Sequence, residues 1–191
     1  VPGLSAPGVS LETQIAAGLR AASLLARGRE EGLRFALLSM EGAARSFWAG
    51  AFCLLPFLLI RGLAAGTVFS ATLPIELIGY VLGWVVFPLA SLALVDASGR
   101  GPLWPLFIAA WNWTNLAQYG ALLAATLLGG ILPQGLGASL TLAVFGYALW
   151  MEWFVAKSAL RISGIRAAIF VLLDMAIGLF IASAVARIAG G

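Results

Sequence analysis

Histidine is absent from this 191-residue chain, cysteine occurs once, and only 10% of the residues are charged. The first two absences exclude a His-rich or Cys-cluster metal site and any internal disulfide. No imidazole exists to act as a base, and neither a G-x-S-x-G nor a GxxxxGK phosphate loop occurs, so the chain is read as non-enzymatic and without a cofactor. Cys53 sits in an apolar run and reads as a small buried hydrophobe. The scarcity of charge excludes an ordinary soluble domain, in which roughly a quarter of residues are charged.

What is present is apolar: 62% of the residues, with a mean hydropathy of +1.02. A water-soluble core of this size has no room for so much Leu, Ala, Phe and Trp. Runs of about 20 apolar residues recur, as spanning helices require, whereas spanning strands would be about 10 residues long and alternate in polarity. The expected fold is an all-α polytopic transmembrane bundle with spans near 44–65, 74–95, 103–128, 136–156 and 166–187. Short breaks between them make sequential helices antiparallel.

On this five-span scheme nine of the eleven basic residues fall on one side: Arg20, Arg27, Arg29, Arg34, Arg45, Arg100, Lys157, Arg161 and Arg166, against Arg61 and Arg187. The positive-inside rule then places the N-terminus in the cytoplasm and the C-terminus outside. This topology also accounts for the net charge of +3 without a nucleic-acid partner. Phe47, Trp48, Trp104, Trp150, Trp153 and Phe154 fall near the cytoplasmic interface, where amphipathic rings anchor.

Residues 1–42 read as a cytoplasmic arm and 43–191 as the membrane bundle. The opening Pro and Gly residues, without a basic lead, do not read as a cleavable leader. Ser10 is placed to cap a helix whose Leu11, Ile15, Leu19, Ala22 and Ala26 share one face, opposite Glu12, Arg20, Ser23 and Arg27, with Gly28 as its stop. Such a helix suits the inner leaflet or a partner protein. The segment from Glu30 to Glu41, with Leu33, Phe35, Leu37 and Leu38, continues it toward the first span.

The most informative stretch is Trp111-Asn112-Trp113-Thr114-Asn115-Leu116-Ala117-Gln118, because amides inside a spanning run are costly in lipid and face protein, water or a ligand. Glu152 and Asp174 also lie within spans, about 7 Å and 12 Å from the cytoplasmic ends at 1.5 Å per residue, and Asn112 and Asn115 lie about 13–18 Å deep. Asn112, Asn115, Gln118, Glu152 and Asp174 therefore form a candidate polar patch. In one reading these groups satisfy each other and lock the packing, with Glu152 paired to Lys157, Arg161 or Arg166. In the other they form a proton or solute site with Asp174 changing charge. Asp174 has no second Asp at its depth, as an intramembrane aspartyl protease would need.

Pro56 and Pro88 interrupt the first two spans and free the carbonyls of Phe52 and Trp84. Gly62 and Gly66, Gly79 and Gly83, and Gly178 with Ala182 have the spacing of close helix contacts, within the chain or with a partner. An N-terminal arm followed by closely spaced helices, with Gly101-Pro102-Leu103-Trp104 at a helix entrance, resembles the Yip1-like group and small bacterial membrane proteins of this length. Here that element precedes the third span instead of the first, and Ala97-Ser98-Gly99-Arg100 replaces an acidic-aromatic lead, so no functional residue is carried over. The expected role is an accessory or scaffold protein of the bacterial inner membrane that packs against lipid, other membrane proteins or itself. The alternative is a small proton-linked transporter or channel.

Overall fold

The computed structural model describes residues 10–36 and 38–190; residues 1–9, Leu37, Gly191 and the side chains of Leu11 and Gln134 lie outside what it describes. Among the described residues there is no strand. Seven α-helices follow in order: α1 (Leu11–Leu25), α2 (Met40–Ser46), α3 (Trp48–Ala65), α4 (Leu73–Ala97), α5 (Trp104–Gly129), α6 (Gln134–Leu160) and α7 (Gly164–Ala189). Four helical stretches, Met40–Ala65, Leu73–Ala97, Gly135–Leu160 and Gly164–Ala189, are long and apolar enough to cross a membrane, as in a multi-pass membrane protein. The expected third span coincides with α5, which is long enough but less apolar because it carries the Trp–Asn segment; it is not among those four.

The helix ends follow from local chemistry. Ser39 accepts from the Gly42 amide at 3.0 Å and starts α2, which meets α3 at Phe47. Gly66 ends α3 at φ +71°, a left-handed conformation that favours glycine. Arg61 then ties the following turn down. Its guanidinium donates to the carbonyls of Thr67 at 3.1 Å and Val68 at 2.6 Å, bonds Ser70 and Thr72, and pairs with Glu76. At the other end of the bundle α6 stops at Arg161, and Ser163 caps α7 by accepting from the Arg166 amide. Trp153 Nε1 donates to the Gly164 carbonyl at 2.9 Å and clips that hairpin shut.

α5 occupies the centre. Its residues from Phe107 to Thr114 are all buried, because α1, α2, α3, α4 and α6 pack around it. α4 runs antiparallel beside it, with Phe87 against Phe107 and Trp84 against Trp111 at ring separations of 6.1 and 5.9 Å. The outward faces of α4 and α7 are exposed and apolar, including Val81, Leu89, Ile165, Leu172 and Leu179. That pattern belongs to helices solvated by lipid.

The N-terminal helix is capped by Ser10 as expected, and Ile15 and Ala22 of the anticipated face pack inward. The buried stripe is shifted, with Gly18, Ala21 and Leu25 buried and Leu19 46% exposed. The cause is steric: the indole of Trp113 lies where a side chain at Gly18 would stand, with Cε2 only 2.0 Å from an ideal Cβ. Small residues let α1 seat on α5. Beyond it, Tyr147 donates to the Ala26 carbonyl and Ser158 donates to Glu30 Oε1 at 2.8 Å, so the arm is also tied to α6.

Gly18→Ala is therefore expected to lower stability by about 1–3 kcal/mol through overpacking. Gly83→Ala, where an added methyl meets nothing within 4 Å, is expected to leave it unchanged or higher, since alanine favours a helix. Thermal melting of both variants in mild detergent checks this; equal effects would contradict the packing of α1 on Trp113.

Candidate functional site

The tight turn between α6 and α7 sets the register of the two intramembrane acids. Glu152 and Asp174 each stand eleven residues from Ser163, at one depth, roughly 16 Å along the hairpin at 1.5 Å per residue. Their side chains face each other closely enough for the two carboxyl groups to interact. From α5, Trp111 Nε1 donates to Asp174 Oδ2 at 3.3 Å. Gln118 donates to the Ala148 carbonyl at 3.3 Å and reaches Glu152 one helical turn along.

This departs from one expectation. Asp174 has no second Asp at its depth, and its acidic neighbour is Glu152. Glu152 forms no ion pair among the described residues; Lys157 instead lies over the Trp153 ring, 4.9 Å from its centre. A lysine five residues further along the helix leaves on a different face, while the hairpin brings the second carboxyl directly opposite. Two carboxyl groups so placed repel unless a proton or another cation lies between them. No group of three or more metal-binding side chains occurs among the described residues.

Asp174 also lines a cavity of about 410 Å³ between α3, α4, α5 and α7, together with Asn115. Its walls include Tyr80, Trp84, Trp111 and Tyr119, which form a continuous aromatic surface: Tyr80 lies 6.2 Å from both Trp84 and Tyr119, and Trp84 lies 5.9 Å from Trp111. Glu76, held by Arg61, marks the far end. A second cavity of about 710 Å³, between α5 and α6, is lined by Gln118 and Thr141. Asn115 and Tyr119 line both and so form the partition.

The expected single polar patch is divided. Asn112 is fully buried and points away from the acids, donating to Ser46 Oγ on α2 at 2.7 Å. Asn115 donates to its own helix at the Trp111 carbonyl, 3.1 Å away, and keeps its face on the cavity. Gln118 joins the carboxyl pair. The cause is helical rotation: each step of three residues along α5 turns back by about 60°, so Asn112 and Gln118, two steps apart, point about 120° apart and address different neighbours.

The small-residue pairs divide in the same way. Gly79 packs closely on α7, where an added Cβ would lie 2.7 Å from Val185. Gly83 and Gly178 have nothing within 4 Å and, with Ala182, open the cavity wall instead of closing a helix contact. Gly62 faces Val68 of the following turn and Gly66 ends its helix, so that pair makes no helix–helix contact. The aromatic wall was not anticipated from the sequence.

Because the two acids face each other, Asp174→Lys should convert repulsion to an ion pair and keep the fold. Adding Glu152→Gln to that variant should then cost about 3 kcal/mol, the scale of breaking a buried pair, while Glu152→Gln alone should cost far less. Melting temperatures of the three variants check the contact; equal effects of Glu152→Gln in both backgrounds would contradict it. No family model, curated protein or solved structure matches this chain, so its chemistry rests on these residues themselves.

Proposed function

We propose that the protein is a small proton-linked transporter that binds its solute beside the Glu152–Asp174 pair. In this reading α5 crosses the bilayer with its four neighbours, giving five spans. The end carrying the basic α4–α5 and α6–α7 turns faces the cytoplasm of a bacterial cell. The observation that carries the reading is that Asp174 faces a second carboxyl on one side and lines a cavity with Asn115 on the other. A group that only locked helices together would be sealed among its partners. One that exchanges a proton for a solute needs both a partner and an opening.

A second reading, an accessory protein that packs against another membrane protein, is supported by the unfilled positions at Gly83 and Gly178. In that case a partner's helix lies in the groove and the carboxyl pair is structural. Isolation in mild detergent separates the two, because an accessory role requires a stoichiometric partner or self-association.

The transport reading is tested with purified protein in sealed vesicles containing a pH-sensitive dye and holding a pH gradient. Organic cations, zwitterionic amino acids, sugars and carboxylates are added in turn. One class is expected to drive proton movement, and Asp174→Asn or Glu152→Gln is expected to slow it at least tenfold with the melting temperature retained. Silence with every class, or undiminished rates in both variants, would overturn the reading.

A further inference from the structure

The cavity between α4 and α7 is poor in hydrogen-bond donors and rich in acceptors and aromatic rings. Trp111 spends its N–H on Asp174, and Tyr80 spends its hydroxyl on the Gly50 carbonyl at 2.5 Å. The Asn115 amide donates one N–H to the Trp111 carbonyl, which leaves its Oδ1 and its second N–H. The nearest guanidinium, that of Arg61 at the far end, is committed to Glu76 and to the acceptors of the Gly66–Leu73 turn. The remaining polar features are the Asp174 carboxyl with Glu152 behind it, the Asn115 amide, the Tyr119 hydroxyl and Glu76. An anion would meet the Asp174 and Glu76 carboxyl groups, with only the Tyr119 hydroxyl and the second Asn115 N–H as donors, too few to offset that repulsion or to replace the hydrogen bonds that a sugar makes with water.

A cation with an apolar body meets the opposite situation. The ring faces of Trp and Tyr attract positive charge, and a carboxylate at the end of an apolar slot neutralises it. The volume of about 410 Å³ lies within the range of pockets for small organic ligands, about 300–1,000 Å³, and is small for a two-chain lipid. We infer that this cavity binds a lipophilic organic cation, an amine or quaternary onium compound, with its charge at Asp174 and its hydrocarbon against Tyr80, Trp84 and Tyr119. The inference rests on the site assigned to transport above and names its ligand class. When the cation enters, its charge neutralises Asp174 from the cavity side, and the proton shared by Glu152 and Asp174 leaves to water.

Equilibrium dialysis of the full chain in detergent against radiolabelled tetraphenylphosphonium tests it. Saturable binding is expected, weakened at least tenfold by Asp174→Asn and by Gly178→Leu, which fills open space beside the carboxyl while leaving the charge in place. Asp96→Asn, outside the cavity, should bind as the parent does. Non-saturable uptake by the parent, or unchanged binding in Gly178→Leu, would overturn the inference even if Asp174→Asn failed to fold. Displacement by excess phosphatidylcholine would assign the site to a lipid headgroup and overturn the free-solute assignment. If sugars or carboxylates move protons in vesicles while tetraphenylphosphonium does not bind, the transport reading stands and the cation fails. Saturable binding without any proton movement gives the converse.

Discussion

From Phe107 to Thr114, α5 offers no face to its surroundings, and this enclosure of two indoles, an amide and a hydroxyl is the constraint on which the bundle is built. Such groups are expensive against hydrocarbon, so they are enclosed by protein. The Asn112 amide N–H is met by Ser46, Trp111 by Asp174, and Thr114 by the Ala110 carbonyl of its own helix, while Asn112 Oδ1 is buried without a hydrogen bond among the described residues. Those partners come from α2, α7 and α5 itself. The apolar helices α4 and α7 can then leave their outer faces to lipid, because the polar material is gathered on one central helix. The N-terminal helix completes the enclosure by seating Gly18 on Trp113.

The same arrangement produces the site. α7 reaches α5 through Asp174, which fixes it at the level of Trp111, and the short turn at Ser163 brings Glu152 to that level from α6. Between this crossing and the ion pair of Arg61 with Glu76, α4 and α7 remain in contact through Gly79 and Val185. Gly83 and Gly178 leave the intervening space unfilled. A glycine in a helix gives close approach only where a neighbour arrives to use it; where the neighbouring residue is also small, the result is a cavity.

Much of this architecture is legible in the sequence. Hydropathy places the helices within a few residues of where they lie, because a run of apolar residues bounded by Gly, Pro and charge has little choice of structure in a membrane. Gln118, Glu152 and Asp174 are identifiable for the same reason: ionisable and amide groups stand out in a spanning segment. Their partners are less legible. Depth counted from each helix end separates Glu152 from Asp174, whereas counting from the turn they share puts them level. The direction of Asn112 depends on the rotation of α5, to which an apolar stripe gives no guide when a helix is buried on every side. The seating of α1 depends on a single glycine opposite an indole, a contact between residues far apart in the chain.

The central claim is that a carboxyl pair inside the bundle opens on a cavity, and a hydrophobic carbodiimide addresses it directly, since such reagents enter apolar sites and couple to protonated carboxyl groups there. Membranes containing the protein are treated with dicyclohexylcarbodiimide, and the modified residue is located by mass spectrometry of the peptides. Modification is expected at Asp174 or Glu152, slowed by prior addition of tetraphenylphosphonium, with Asp96 unmodified. Absence of label from both Glu152 and Asp174, with the reagent reacting only at the helix ends, would contradict the claim.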